Sequence, residues 1–197
     1  MSELVIEAIR AGNPVVLPTD TVYGLCADAY REEPVRLLYA LKGRGENQPT
    51  ALLAADVDML LDAVPELRGL AGRVVRELLP GPYTLVLPNP SRRFRWLTGE
   101  RPEAIGVRVP DLPRETQTVL DRVGAVAATS ANLPGGPDPR RLEDVPEHLR
   151  AGAGAVLDGG ELPGTPSTVL DLTGPEPVVV REGAVSASEA LGRVSPA

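Results

Sequence analysis

Lys42 is the only lysine in a chain whose lysines and arginines together number 20. It lies in the run Leu41-Lys42-Gly43-Arg44-Gly45. Arginine is a planar fork that grips carboxylate and phosphate at two points, whereas lysine is a compact point charge on a flexible stem. A site that needs the ammonium would account for the exception. A helix C-terminus, where any cation gains roughly 0.3–1 kcal/mol from the dipole, accounts for it as well. Other polar and cationic residues stand at the ends of predicted strands. Thr19 and Thr21 follow the first, Arg108 closes another, and Ser130 and Asn132 belong to Thr129-Ser130-Ala131-Asn132. Ser167 opens a strand and Arg181 ends one. Singly, each reads as a turn, cap or surface residue. Together with Arg44 they supply three guanidinium groups and one ammonium beside hydroxyl and amide donors, which is how a phosphate chain and a carboxylate are held. Ligands on open α/β sheets gather at strand ends, and this distribution suits a polar pocket.

Much chemistry is excluded. The single cysteine, Cys26, rules out an internal disulfide, and the single histidine, His148, rules out a His-rich metal site. No protein-held metal is expected. Lys42 lacks the glycine spacing of a Walker loop, and neither Gly-x-Gly-x-x-Gly nor Gly-x-Ser-x-Gly occurs. His148 sits in a polar, Arg-flanked stretch and reads as a surface residue. With no plausible His or Cys catalyst, catalysis would come from positioning and charge stabilisation, as in phosphoryl and nucleotidyl transfer. A net charge of −7 argues against nucleic acid held by bulk electrostatics. The clusters Arg92-Arg93-Arg95 and Arg140-Arg141 could touch RNA but read as solvated surface. No apolar run approaches a membrane span, and the N-terminus lacks a signal-peptide pattern, so the chain reads as cytoplasmic.

The elements that must position these residues follow from periodicity. The 197 residues fit one domain spanning 1–197. Helices are expected at Ser2–Ala11 with Ser2 as N-cap, at Pro34–Leu41 with Pro34 at its start, and at 56–61, 66–79, 114–123, 142–149 and 186–193. Strands are expected at Val15–Leu17, Val22–Ala27, Thr50–Ala54, Tyr83–Leu87, Ala104–Val109, Ala125–Ala128, Ala155–Leu157, Thr168–Leu172 and Val178–Val180. Leu133–Pro139 is a Pro/Gly-rich loop, the best candidate for a mobile segment. Interleaved helices and short apolar strands imply a layered α/β domain with a mixed sheet.

At these positions the chain resembles a known family. Pro18-Thr19-Asp20-Thr21-Val22-Tyr23-Gly24-Leu25, Lys42-Gly43-Arg44, Pro80-Gly81-Pro82-Tyr83-Thr84, Gly106-Val107-Arg108-Val109-Pro110, Thr129-Ser130-Ala131-Asn132, Pro166-Ser167-Thr168 and Arg181-Glu182-Gly183 follow the order of YrdC/YciO-type proteins. Those include the threonylcarbamoyl-adenylate synthases. The resemblance implies a twisted mixed parallel/antiparallel sheet flanked by helices, similar to dihydroxybutanone-phosphate synthase. It implies a reaction too: L-threonine, bicarbonate or CO₂, and ATP with Mg²⁺ give threonylcarbamoyl-AMP and pyrophosphate. The product would pass to a separate transferase that modifies adenosine 37 of tRNA, leaving this acidic chain little need to bind tRNA. Carried over by motif, Lys42, Arg44, Ser130 and Asn132 would surround the nucleotide phosphates, with Lys42 and Arg44 catalytic and Arg181 also on ATP. Thr21, Arg108 and Ser167 would hold threonine. Gly45, Gln48 and Pro134 depart from the family pattern. Two alternatives stand beside this: a YciO-like paralogue of different activity, and a non-catalytic RNA-binding module.

Overall fold

The apolar runs flanking Thr19–Val22 form a hairpin. β1 (Val15–Pro18) and β2 (Tyr23–Asp28) pair antiparallel with Val15 opposite Cys26. The computed structural model describes residues 1–194. The remaining strands are β3 (Ala51–Leu53), β4 (Tyr83–Pro88), β5 (Ala104–Arg108), β6 (Val126–Ser130), β7 (Ala155–Val156), β8 (Thr168–Asp171) and β9 (Val178–Arg181). All join one sheet in the order β7-β1-β2-β6-β3-β5-β4-β8-β9. The β1–β7, β3–β5 and β4–β8 pairs are parallel and the others antiparallel. The expected mixed α/β sheet is therefore observed. Among the described residues no helix is long and apolar enough to cross a membrane.

Among the described residues seven α-helices flank the sheet: α1 (Ser2–Ala11), α2 (Glu32–Lys42), α3 (Val57–Ala63), α4 (Leu70–Leu78), α5 (Arg114–Val123), α6 (Glu147–Gly152) and α7 (Ala187–Val194). Side chains of a strand alternate between faces, and here the two faces differ. One carries Val16, Leu25, Leu52, Ala127, Val107 and Leu85, packed with apolar residues of α2, α3, α4, α6 and α7. The other carries Leu17, Cys26, Leu53 and Val126, covered by Val5, Ile6 and Ile9 of α1 and by Val119 and Leu120 of α5. Those two helices roof only part of that face.

Several boundaries differ from expectation for local reasons. Met1, not Ser2, is the N-cap of α1, and Pro34 is the third residue of α2 rather than its first. The expected helix over 66–79 is a 3₁₀ turn, Pro65–Arg68, followed by α4, because Gly69 leaves helical geometry with ψ near −134°. The helix expected over 142–149 is likewise divided. Pro146, which lacks an N–H, separates the 3₁₀ turn Leu142–Asp144 from α6. β6 runs on to Ser130, which pairs with Gly24. That extension fixes Ser130 in a ladder rather than leaving it in a loop.

The β1–β2 hairpin is braced by the segment after β7. The buried Tyr23 hydroxyl lies 3.0 Å from Asp158 Oδ1 and 2.8 Å from the Gly160 carbonyl, and accepts the Gly159 N–H at 3.0 Å. Further along, Gly164 N–H donates to the Thr21 carbonyl at 2.8 Å. Tyr23→Phe removes the hydroxyl and strands its partners, so stability measured by urea unfolding should fall by about 1–3 kcal/mol. A change within about 0.5 kcal/mol, typical of an uncoupled surface site, would contradict this bracing role.

Candidate active site

On the half of the sheet that α1 and α5 leave open, four adjacent strands present almost no side-chain volume. Gly24, Ala128, Ala51 and Gly106 form the floor of a cavity of about 480 Å³, with Thr84 and Val86 continuing it. A Cβ at Gly106 would meet Ala51 and Thr84 at 3.8 Å, ordinary contact distance. Packing alone does not demand glycine there; its absence of side chain keeps the floor low. β6 is antiparallel to β3 and β3 parallel to β5, so Ser130 and Arg108 close strands of opposite direction. The polar residues therefore converge over the face of the sheet, not along one edge. The expectation of a site at strand ends is modified accordingly: the small-residue floor lets a ligand lie across the strands.

The first cluster begins where α2 stops. Gly43, at φ +67°, turns the chain left-handed and sends Lys42 and Arg44 to different partners. Lys42 is 3% exposed. Its ammonium donates to the Ser130 carbonyl, to Asn132 Oδ1 at 3.0 Å and, longer, to Ser130 Oγ at 3.5 Å. Ser130 Oγ donates to the same Asn132 oxygen at 2.7 Å, and Asn132 Nδ2 ties down Gly136 of the following loop at 2.8 Å. Arg44 donates to Thr129 Oγ1 at 3.1 Å and to the Pro49 carbonyl. Burial is the main influence lowering the Lys42 ammonium to about 8, Arg44 lowers it further, and Asp138 opposes. Burial also lowers the Arg44 guanidinium. Both cations are held against neutral oxygens, an arrangement that an incoming anion improves.

The second cluster is built on the hairpin turn. Thr19 Oγ1 donates to the Val22 carbonyl at 2.7 Å and accepts the N–H groups of Thr21 and Val22, fixing the turn. Arg108 reaches it, with Nη2 donating to Asp20 Oδ1 at 2.8 Å and to Thr21 Oγ1 at 3.3 Å. Here the alternation of β5 points Arg108 inward, at 11% exposure. Burial lowers the Arg108 guanidinium against the pull of Asp20, and lifts the Asp20 carboxyl against the pull of Arg108.

Ser167 and Arg181 form the third group. Arg181 donates to the Ser167 carbonyl at 2.8 Å and to its Oγ at 3.3 Å, and Ser167 Oγ lies 2.8 Å from Thr84 Oγ1 on the floor. The eight expected site residues thus form three groups: Thr21, Arg44, Arg108, Ser130, Ser167 and Arg181 line one cavity, and Lys42 and Asn132 adjoin it through Ser130. Sequence reasoning separated Ser167 from Arg181, yet the fold binds them to each other. It also passed over Asp20, Thr84, Thr129 and Asp138. Asp20 was visible as a carboxylate between two threonines after a buried strand, whereas Asp138 shows no local signal. His148 is exposed, as expected. Arg93 pairs with Glu66 at 2.9 Å, and Arg140 and Arg141 both reach Glu161. These surface ion pairs lie outside the cavity lining. Cys26 is buried with its thiol pushed up to about 12, unsuited to act as a nucleophile.

Because Lys42 is the only lysine, its titration can be read without assignment. In protein carrying ¹³Cε-lysine, the single signal should move with a midpoint near 8. A midpoint near the ordinary 10.5 would show that the ammonium is not buried as described.

Comparison with known proteins places this geometry. The Sua5–YciO–YrdC family model, described as "Telomere recombination", matches residues 7–183. A putative threonylcarbamoyl-AMP synthase of Mycobacterium tuberculosis is 35% identical over 191 residues, covering 95% of this chain and 87% of that one. Among solved structures, P. abyssi Sua5 complexed with L-threonine superposes with a TM-score of 0.85 at 31% identity, over 98% of this chain. This chain spans only 57% of that longer protein. E. coli YciO superposes at 0.83 with 28% identity, over 97% of this chain and 94% of its own. The chain belongs to the Sua5–YciO–YrdC family.

Proposed function

We propose that the cavity makes threonylcarbamoyl-AMP from L-threonine, bicarbonate or CO₂, and ATP, with release of pyrophosphate. One observation carries this reading: around a single cavity, lined by Arg44, Ser130, Thr21 and Arg108, stand a cation pair held on neutral oxygens, Lys42 and Arg44, and a distinct Arg108–Thr21–Asp20 group suited to an amino acid. The names of the mycobacterial and archaeal relatives agree with it. The threonine carboxylate would lie on Arg108, with Thr21 and Ser167 hydroxyls nearby. Its amine adds to the carbon of CO₂ and loses a proton, giving a carbamate. A carbamate oxygen then attacks the α-phosphorus, the α–β phosphoanhydride bond breaks, and pyrophosphate departs. Lys42 and Arg44 offset the charge growing on pyrophosphate, Ser130 and Asn132 hold Lys42 in place, and Arg181 adds a further cation.

Mg²⁺ would enter with ATP as its counter-ion. Such an ion keeps several waters and needs only one or two carboxylates beside phosphate oxygens. Asp138, at the Lys42 end of the lining, fits that demand, and among the described residues no cluster of three or more potential ligands offers a separate cage. The product would be handed to a separate tRNA-modifying transferase, with little direct tRNA binding here. A YciO-like activity on other substrates is the second reading, favoured by Gly45 and Gln48 in the phosphate loop, where Gln48 is exposed and supplies no side-chain contact to the cluster.

Purified protein given threonine, bicarbonate and Mg-ATP should release pyrophosphate, and omitting threonine should abolish the release. Threonine-independent release would favour the YciO-like reading, and none with any amino acid would contradict both. Lys42→Arg keeps the charge but not the reach of the ammonium, and kcat should fall about 10²–10³-fold, the usual loss for one charge-stabilising donor. In the wild type, kcat/KM for ATP should decline as pH rises through about 8, because Lys42 loses its proton there. Full activity of Lys42→Arg, or no decline at alkaline pH, would remove Lys42 from the reaction.

A further inference from the structure

Asp20 is paired with Arg108 of the cavity lining, and the reaction above gives its carboxylate no part. It contacts Arg108 through one oxygen only; Asp20 Oδ2 and Arg108 Nε are buried with no hydrogen-bond partner among the described residues. The two side chains are 10% and 11% exposed. Taking such a pair out of water costs about as much as the attraction returns, and a half-satisfied buried pair is a poor way to hold a fold. Its place is informative. Of Lys42, Arg44, Arg108 and Arg181, only Arg108 is in a direct ion pair among the described residues. Lys42 rests on Ser130 and Asn132, Arg44 on Thr129 and Pro49, and Arg181 on Ser167, all neutral oxygens.

We infer that Asp20 is a specificity-determining positioning residue that makes the Arg108 end of the cavity selective for a zwitterion and closes it to plain anions. A phosphate chain arriving at Arg108 meets the Asp20 carboxylate 2.8 Å from the guanidinium and is repelled. An amino acid brings its own cation. Its carboxylate takes the free part of the Arg108 fork, and its ammonium offsets Asp20. Pyrophosphate and the triphosphate of ATP are thereby confined to Lys42 and Arg44, and the two substrates cannot exchange places. Asp20 acts through Arg108 and Thr21, the latter hydroxyl lying 3.2 Å from Asp20 Oδ1. The inference rests on the reading of Arg108 as the amino-acid end.

The test is calorimetric titration of threonine in the presence and absence of inorganic pyrophosphate. In the wild type, saturating pyrophosphate should leave the threonine Kd unchanged. In Asp20→Asn, which keeps the shape and loses the charge, threonine should bind about tenfold or more weakly. Pyrophosphate should now compete with it, because Arg108 is left as an uncompensated cation. Asp20→Glu, which restores the charge, should recover threonine binding and again exclude pyrophosphate. A purely structural Asp20 would weaken threonine binding without admitting pyrophosphate, and that result overturns the inference. Competition by pyrophosphate in the wild type overturns it too, without any variant. A wild type that binds threonine alongside an Asp20→Asn variant of equal affinity overturns the inference alone. A wild type that binds no threonine overturns the amino-acid reading of Arg108 and the inference with it.

Discussion

A cation buried in a protein must be met by oxygens or lose its charge, and this cavity is organised by that requirement. Burial is the largest influence on Lys42, Arg44 and Arg108 alike. Each is rescued by a different device. Lys42 lies on a carbonyl, an amide oxygen and a hydroxyl from the end of β6; Arg44 spans Thr129 and Pro49; Arg108 is paired with a carboxylate. The choice of partner sets what each cation can accept next. A neutral oxygen leaves the full charge available to an incoming phosphate, whereas a carboxylate leaves only the part that a zwitterion can use.

The fold supplies those partners by withholding others. Were the floor positions of ordinary size, the open half of the sheet would fill with side chains as the half beneath α1 and α5 does. Gly24, Ala51, Gly106 and Ala128 prevent this. Because β5 and β6 run in opposite directions, Arg108 and Ser130 stand at opposite ends of the strand rows, and the Thr19–Val22 turn, beside the Ser130 end, meets Arg108 through Asp20 and Thr21. Which oxygens meet Lys42 and which meet Arg108 is thus set by sheet topology as well as by side-chain chemistry.

Most of this architecture is legible in the chain. The lone Lys42 among arginines, the hydroxyl-rich Thr19–Thr21 turn and Thr129-Ser130-Ala131-Asn132 all mark the site, and the period-two runs mark the strands. Less legible is which residues would be joined. Arg181 and Ser167 lie 14 positions apart yet bond directly, a consequence of the β8–β9 pairing. Arg108 reads equally as an outward residue until its neighbours on the face are known. Asp20 is hidden because its partner lies 88 residues away. Helix limits failed where a single residue overrode periodicity, Gly69 in one case and Pro146 in the other.

The proposed reaction joins carbon from bicarbonate to the threonine nitrogen and then, through a carbamate oxygen, to the α-phosphate of ATP. The most direct measurement is mass spectrometry of the nucleotide product formed from ¹³C-bicarbonate, ¹⁵N-threonine and Mg-ATP. A threonylcarbamoyl adenylate carrying both labels is the expected product. Unlabelled AMP or ADP, with no conjugate at any threonine concentration, would contradict the proposed chemistry.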